Sequence, residues 1–366
     1  MPRPTAMNPS QYFPETYQAG RDRFRDLARQ AGGALDAIDH PMKGPDGGAL
    51  SMDAAWFGPA DPQKALLLVS ATHGVEGHCG SGCQAGWLAG GGPQRLPPGI
   101  GALVIHAVNP HGFAWTRRVT EDNVDLNRNF VDFAAGVPKN PRYDAIADAV
   151  APRDWEGPAR AAGDAALRAY ADKHGDFALQ AAITGGQYSH PGGLFYGGTG
   201  PTWSHRNFLA LAERFLGRTQ SVGFVDLHTG LGPYGYGEPI CGHHPGTPGH
   251  GRAKEWFGDE LTSPEAGNST SAPVVGMLSE GFGRRLPGVA LTAVALEYGT
   301  QPVHDVIQAL RADNWLHLHG DLASAQGKAI KRQIRDAFYQ DKDDWKAKVL
   351  PRALEIIDRA VAGLAR

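Results

Sequence analysis

The chain has 366 residues, of which 42% are hydrophobic and 20% charged, and a net charge of −3. That balance excludes a disordered or fibrous protein and supplies apolar side chains for a large core. With no excess of Lys and Arg there is no field to gather phosphates, so neither nucleic acid nor a membrane surface is expected as a partner.

Taken in chain order, the first residues lack a basic stretch followed by an apolar one, which argues against a secretory leader. Residues 14–30 carry Tyr17, Phe24, Leu27 and Ala28 at helical spacing. Short apolar runs at 50–57, 65–71, 101–108, 222–227 and 289–296, each bounded by turn-forming residues, predict buried strands. Helical patterns at 77–88, 158–173, 203–216 and 252–261 alternate with them. The alternation predicts an α/β fold with a mixed, largely parallel sheet flanked by helices. Beyond residue 300 the pattern is helical throughout (303–318, 329–338 and 345–364), a C-terminal helical extension. No linker or repeat divides the chain, so residues 1–366 are expected to form one domain, with chemistry-bearing motifs in 65–300 and a helical cap in 301–366. No run approaches the ~20 apolar residues of a membrane span. Three cysteines, Cys79, Cys83 and Cys241, are too few and odd in number for a disulfide framework, and with the missing leader this points to the cytoplasm.

Glycine is the outlying count, 49 residues against a usual ~7%, yet neither a G-x-S-x-G elbow nor a phosphate-binding P-loop is present. One G-x-G-x-x-G, from Gly230 to Gly235, follows a strand, but Tyr236-Gly-Glu-Pro cannot open the helix that a dinucleotide site requires.

The chemistry concentrates at strand ends. The run ALLLVSAT leads into His73-Gly-Val-Glu76, an imidazole and a carboxylate able to turn toward one point as part of a zinc shell. A second His at a strand end, His228 in VDLHTG, supplies a third ligand. Between them, Arg117, Arg118, Asp125, Asn127 and Arg128 crowd one segment, and guanidinium with Asn suits an anionic substrate group. Glu297 ends the apolar strand AVALE, where an ionised carboxylate is costly unless a cation or a catalytic task retains it.

In this order the motifs HGVEG, NPHGFAWTRR, EDNVDLNRNF, GLFYGG, DLHTGLGPYG and EYGT resemble those of the zinc carboxypeptidase superfamily, over about residues 65–300. They look most like its bacterial branch known as domain of unknown function 2817. The resemblance implies a zinc carboxypeptidase-like fold, one Zn2+ per chain on His73, Glu76 and His228, and Glu297 as general base and acid. It implies Arg118, or else Arg117, at the scissile carbonyl, Asn127 and Arg128 on the substrate carboxylate, and Asp125 behind the first zinc histidine. The expected activity is hydrolysis of an amide beside a free carboxylate in a peptide or acylated amino acid. The alternatives are an N-acyl amino acid deacylase of the aspartoacylase and desuccinylase type, and a zinc or ligand binder without catalysis. The chain departs from carboxypeptidase A-like members in lacking a Tyr between Tyr236 and Tyr298, which leaves Tyr234, Tyr236 or Arg284 to replace the mobile loop tyrosine. In the stretch 249–287, Phe282 would favour an apolar substrate side chain, and Arg284 and Arg285 an acidic one.

Overall fold

The computed structural model describes residues 8–366. Seven strands, β1 (Ala34–Lys43), β2 (Ala49–Phe57), β3 (Lys64–Val69), β4 (Ile100–His106), β5 (Ser221–Tyr234), β6 (Gly237–Cys241) and β7 (Ala290–Gly299), form one sheet. Their order is β1-β2-β4-β3-β5-β7-β6. The four central strands β4, β3, β5 and β7 are parallel, β2 and β6 flank them antiparallel, and β1 pairs antiparallel with β2 at the edge.

Helices of eight or more residues are α1 (Tyr17–Gln30), α2 (Gly77–Ala89), α3 (Pro158–His174), α4 (Asp176–Thr184), α5 (Trp203–Leu216), α6 (Pro248–Phe257), α7 (Leu278–Arg285), α8 (Val303–His319), α9 (Ala325–Phe338) and α10 (Asp343–Ala365). Successive strand residues point to opposite faces, and the two faces bury different helices. Leu66, Leu68, Val225, Leu227, Val294 and Leu296 meet Cys83 and Trp87 of α2 and Val349, Ile356 and Ile357 of α10. Leu67, Val69, Leu103, Phe224 and Ala293 meet Phe208, Leu211 and Leu216 of α5 and Leu278 and Phe282 of α7. Among the described residues no helix is long and apolar enough to cross a membrane.

The five strands read from apolar runs are all present, as are the helices read from periodicity. β1 and β6 escape that reading because β1 is mostly exposed and β6 has only five residues, one of them Pro239. β5 also runs past His228 to Tyr234, so the glycine run lies at its end and turns into β6.

Chain direction around β3 positions the site. From β3 the chain crosses to β4 on one side, and the next sheet strand, β5, lies on the other. Such a reversal opens a crevice at the carboxyl ends of the strands, the usual ligand position in open α/β sheets.

Candidate metal centre and its cavity

β3 ends at Val69, and a turn of 3-10 helix, Gly74–Glu76, carries the chain from His73 into α2. Gly74 is required there: a Cβ would overlap the backbone of Gly112 and Phe113. Backbone bonds from Gly74 N–H to Arg118 O (3.0 Å) and from Val75 N–H to Arg117 O (2.8 Å) fasten this turn to the arginine-bearing loop.

The turn sets His73 and Glu76 beside His228 of β5, with donor atoms of all three within 4.8 Å of one another and all three buried. Glu76 bridges the pair: Oε1 lies 2.8 Å from His73 Nδ1 and Oε2 2.8 Å from His228 Nδ1. Behind each ring stands a carboxylate. His73 Nε2 is 3.1 Å from Asp125 Oδ1 and His228 Nε2 is 2.8 Å from Asp226 Oδ2. Thr72 Oγ1 donates to the other oxygen of Asp226 at 2.8 Å. A carboxylate behind a ligating imidazole fixes its tautomer and raises its basicity.

The residues present fit a divalent metal. Two imidazole nitrogens and a carboxylate, each histidine braced from behind, are a zinc-type donor set. Burial would push Glu76 up, but His73 and His228 outweigh it and hold the carboxyl well below the usual range. Burial likewise disfavours charge on His228, yet Asp226 and Glu76 raise its pKa well above the ordinary value. Without an ion His228 therefore favours its protonated form, and a metal would displace that proton.

Glu297 of β7 lies directly across from His228 of β5 in the sheet register. Its Oε1 accepts from Leu231 N–H at 3.0 Å. Desolvation, then the neighbouring Glu76 charge, push its pKa up to about 8, with His228, the Leu231 amide and Arg118 opposing. A carboxyl tuned this far up is a functional-site signature when it lies in a cleft.

Arg118 donates from Nε to Asp125 Oδ2 (2.9 Å) and from Nη1 to Glu76 Oε1 (3.0 Å). Arg128 donates from Nε and Nη2 to Thr184 O and from Nη1 to Asn127 O, which leaves two of its five N–H groups for a ligand. Asn127 accepts from Leu278 N–H and its Nδ2 lies 3.4 Å from His228 Nε2. His73, His228, Glu297, Arg118, Asn127 and Arg128 all line one cavity of about 140 Å3. Arg117 is turned away, donating to Asn123 Oδ1 at 2.9 Å with Asp313 at 3.5 Å, and does not line it.

Some neighbours were not legible beforehand. Asp226 sits inside an apolar strand, where a single acid carries no motif, but a spacing of two puts it on the same face as His228. Phe195 is both a core residue and part of the cavity lining, with Arg118 and Arg128 over its ring at 5.1 and 5.5 Å. Phe282 is core, Arg284 bonds to Phe130 O and Arg285 to Glu213. None of the three lines the cavity, nor do Tyr234 and Tyr236.

The architecture is a carboxypeptidase-like α/β fold. The chain belongs to the family described as a protein of unknown function (DUF2817), whose model matches residues 13–352. No curated protein matches the sequence. Among solved structures it is similar to thrombin activatable fibrinolysis inhibitor, at 12% identity and a TM-score of 0.50 over 99% of this chain and 77% of that one. It is also similar to a metallo-carboxypeptidase from Burkholderia cenocepacia, at 12% identity and a TM-score of 0.42 over 97% and 70%. A succinylglutamate desuccinylase from Chromobacterium violaceum matches at 14% identity and a TM-score of 0.38 over 86% and 72%. At such identities the first likeness establishes the fold and nothing of the activity.

Proposed function

We propose that this protein is a zinc-dependent hydrolase of carboxypeptidase type, cleaving an amide bond beside a free carboxylate in a peptide or acylated amino acid. The observation that carries the reading is the placement of Glu297, with its raised pKa, across from His228 at the edge of the His73, Glu76 and His228 cluster. A purely binding protein has no use for a costly carboxyl beside a metal set.

In this reading His73, Glu76 and His228 hold one zinc ion, whose chemistry when bound is to acidify water and polarise a carbonyl. Glu297 takes a proton from the attacking water and returns it to the leaving nitrogen. Arg118, the arginine of the pair that lines the cavity, offers positive charge to the developing oxyanion. Arg128 and Asn127 hold the substrate carboxylate, which fixes the amide relative to Glu297. Asp125 and Asp226 keep the two histidines in register.

Replacing Glu297 by Gln separates catalysis from binding. Zinc stoichiometry by elemental analysis should stay at one per chain, while turnover of N-blocked dipeptides and N-acyl amino acids falls by about 10^2 to 10^4. Wild-type turnover in the variant would remove Glu297 from the chemistry. A second reading, deacylation of N-acyl amino acids in preference to peptides, is favoured by the apolar face that α8 turns to the cavity.

A further inference from the structure

The cavity has two walls of different character. One, built from β6, β7 and the segment around α7, includes Ile240, Ala295 and Met277 together with Glu265, Glu280 and His244. The other is apolar along α8, with charge only at its Phe195 end, where Arg118 and Arg128 lie over the ring. Along α8, Val303, Val306, Ile307 and Leu310 face the cavity at the i, i+3, i+4, i+7 spacing of one helix face. Phe195 and Phe338 close this stripe and belong to the same apolar cluster as Val306 and Leu310. Val303, the first residue of α8, is 37% exposed at the mouth.

The wall adjoins the reacting groups. The Phe338 ring lies against Gly230, at 2.9 Å from where a Cβ would stand, and Glu297 Oε1 is 3.7 Å from the same point. Gly230 has φ +134, a conformation that glycine adopts freely, which lets ring, strand and carboxyl meet. Asn127 accepts from Leu278 N–H on the β6, β7 and α7 side, while the Arg128 guanidinium lies over Phe195, at one end of the stripe. A substrate whose carboxylate is held by Asn127 and Arg128, with its amide at Glu297, has its acyl portion left to run along α8.

We propose that this apolar α8 stripe is the acyl subsite, and that the substrate class is N-acyl amino acids bearing an extended aliphatic or aromatic acyl group rather than a dicarboxylic or aminoacyl one. The proposal rests on the hydrolase reading for the orientation of the substrate. A charged acyl group must pass or place its charge beside Val306, Leu310 and Phe338, which are buried and offer it no partner, and that is unfavourable. A methylene chain instead exchanges water for apolar surface.

The test uses zinc-loaded Glu297→Gln protein and calorimetric binding of one series: acetyl-, butyryl- and hexanoyl-alanine, with adipoyl- and 6-aminohexanoyl-alanine as charged analogues of similar length. Hexanoyl-alanine should bind about tenfold or more tighter than acetyl-alanine, and both charged analogues about tenfold weaker than hexanoyl. Val303→Asp, at the exposed mouth, should cut the hexanoyl-to-acetyl ratio by about threefold or more. Equal affinity along the series, or a preference for either charged analogue, overturns the acyl subsite even if wild-type protein hydrolyses acetyl-alanine. Conversely, the expected binding order with no turnover by wild-type protein leaves the subsite standing and sinks the hydrolase reading.

Discussion

His73 and His228 reach the cluster from different strands, yet each is held in the same way, by a buried carboxylate on its far ring nitrogen. Asp125 is legible only through the family resemblance, because nothing in the spacing DLNRNF ties it to a histidine some fifty positions earlier. Asp226 is hidden by its surroundings: a single acid in VGFVDLH reads as an irregularity in a strand until the sheet puts it behind His228. In the proposed zinc site, Asp226→Asn keeps the shape but loses the charge that would orient and strengthen His228 as a ligand. Zinc affinity measured by competition with a chelator should fall roughly 10- to 100-fold, and an unchanged affinity would reduce Asp226 to a structural neighbour of Thr72.

Among the elements, those that bury a full apolar set announce themselves. β3 is buried from Ala65 to Val69, and α10 contributes Trp345, Val349, Ile356 and Ile357 to the sheet's core. Elements whose place depends on neighbours do not. β1 pairs with β2 at the sheet edge, β6 follows from the turn at the end of β5, and α7 reads as loop because its glycines and arginines mask Leu278 and Phe282. The turn between β3 and α2 belongs to this second kind. Its tightness comes from backbone approaching backbone at Gly74, a contact that no periodicity records. Gly74→Ala must push the 110–114 segment away or distort the turn that presents His73 and Glu76. Thermal stability should drop by about 1–3 kcal/mol and zinc affinity should fall with it. A variant with the wild-type melting temperature and zinc affinity would show that the two segments separate freely.

For the whole molecule, the site is a place where folding energy opposes chemistry. Folded Glu297 keeps its proton to about pH 8, whereas its ordinary value is 4.5. Between those limits the metal-free folded state binds the extra proton, so this group's contribution is complete below about pH 4.5 and is lost as pH rises through about 8. Stability falls across that window by at most about 1.4 kcal/mol per pH unit. Glu297→Gln has no proton to lose, so the melting temperature of the metal-free variant should gain on the wild type steadily from about pH 5 to pH 8. Parallel profiles would mean that water reaches the carboxyl well enough to keep it ordinary. The order in which the cleft's parts occur along the chain has a further consequence. During synthesis the His73 and Glu76 turn leaves the ribosome long before His228, Glu297 and finally Phe338, whose carbonyl accepts from Thr229 Oγ1 at 2.5 Å beside the cluster. A nascent chain thus carries His73 and Glu76 well before His228 and Glu297 join them, so the cluster is assembled only once β7 has been made, and its Thr229 side is closed only when α9 docks.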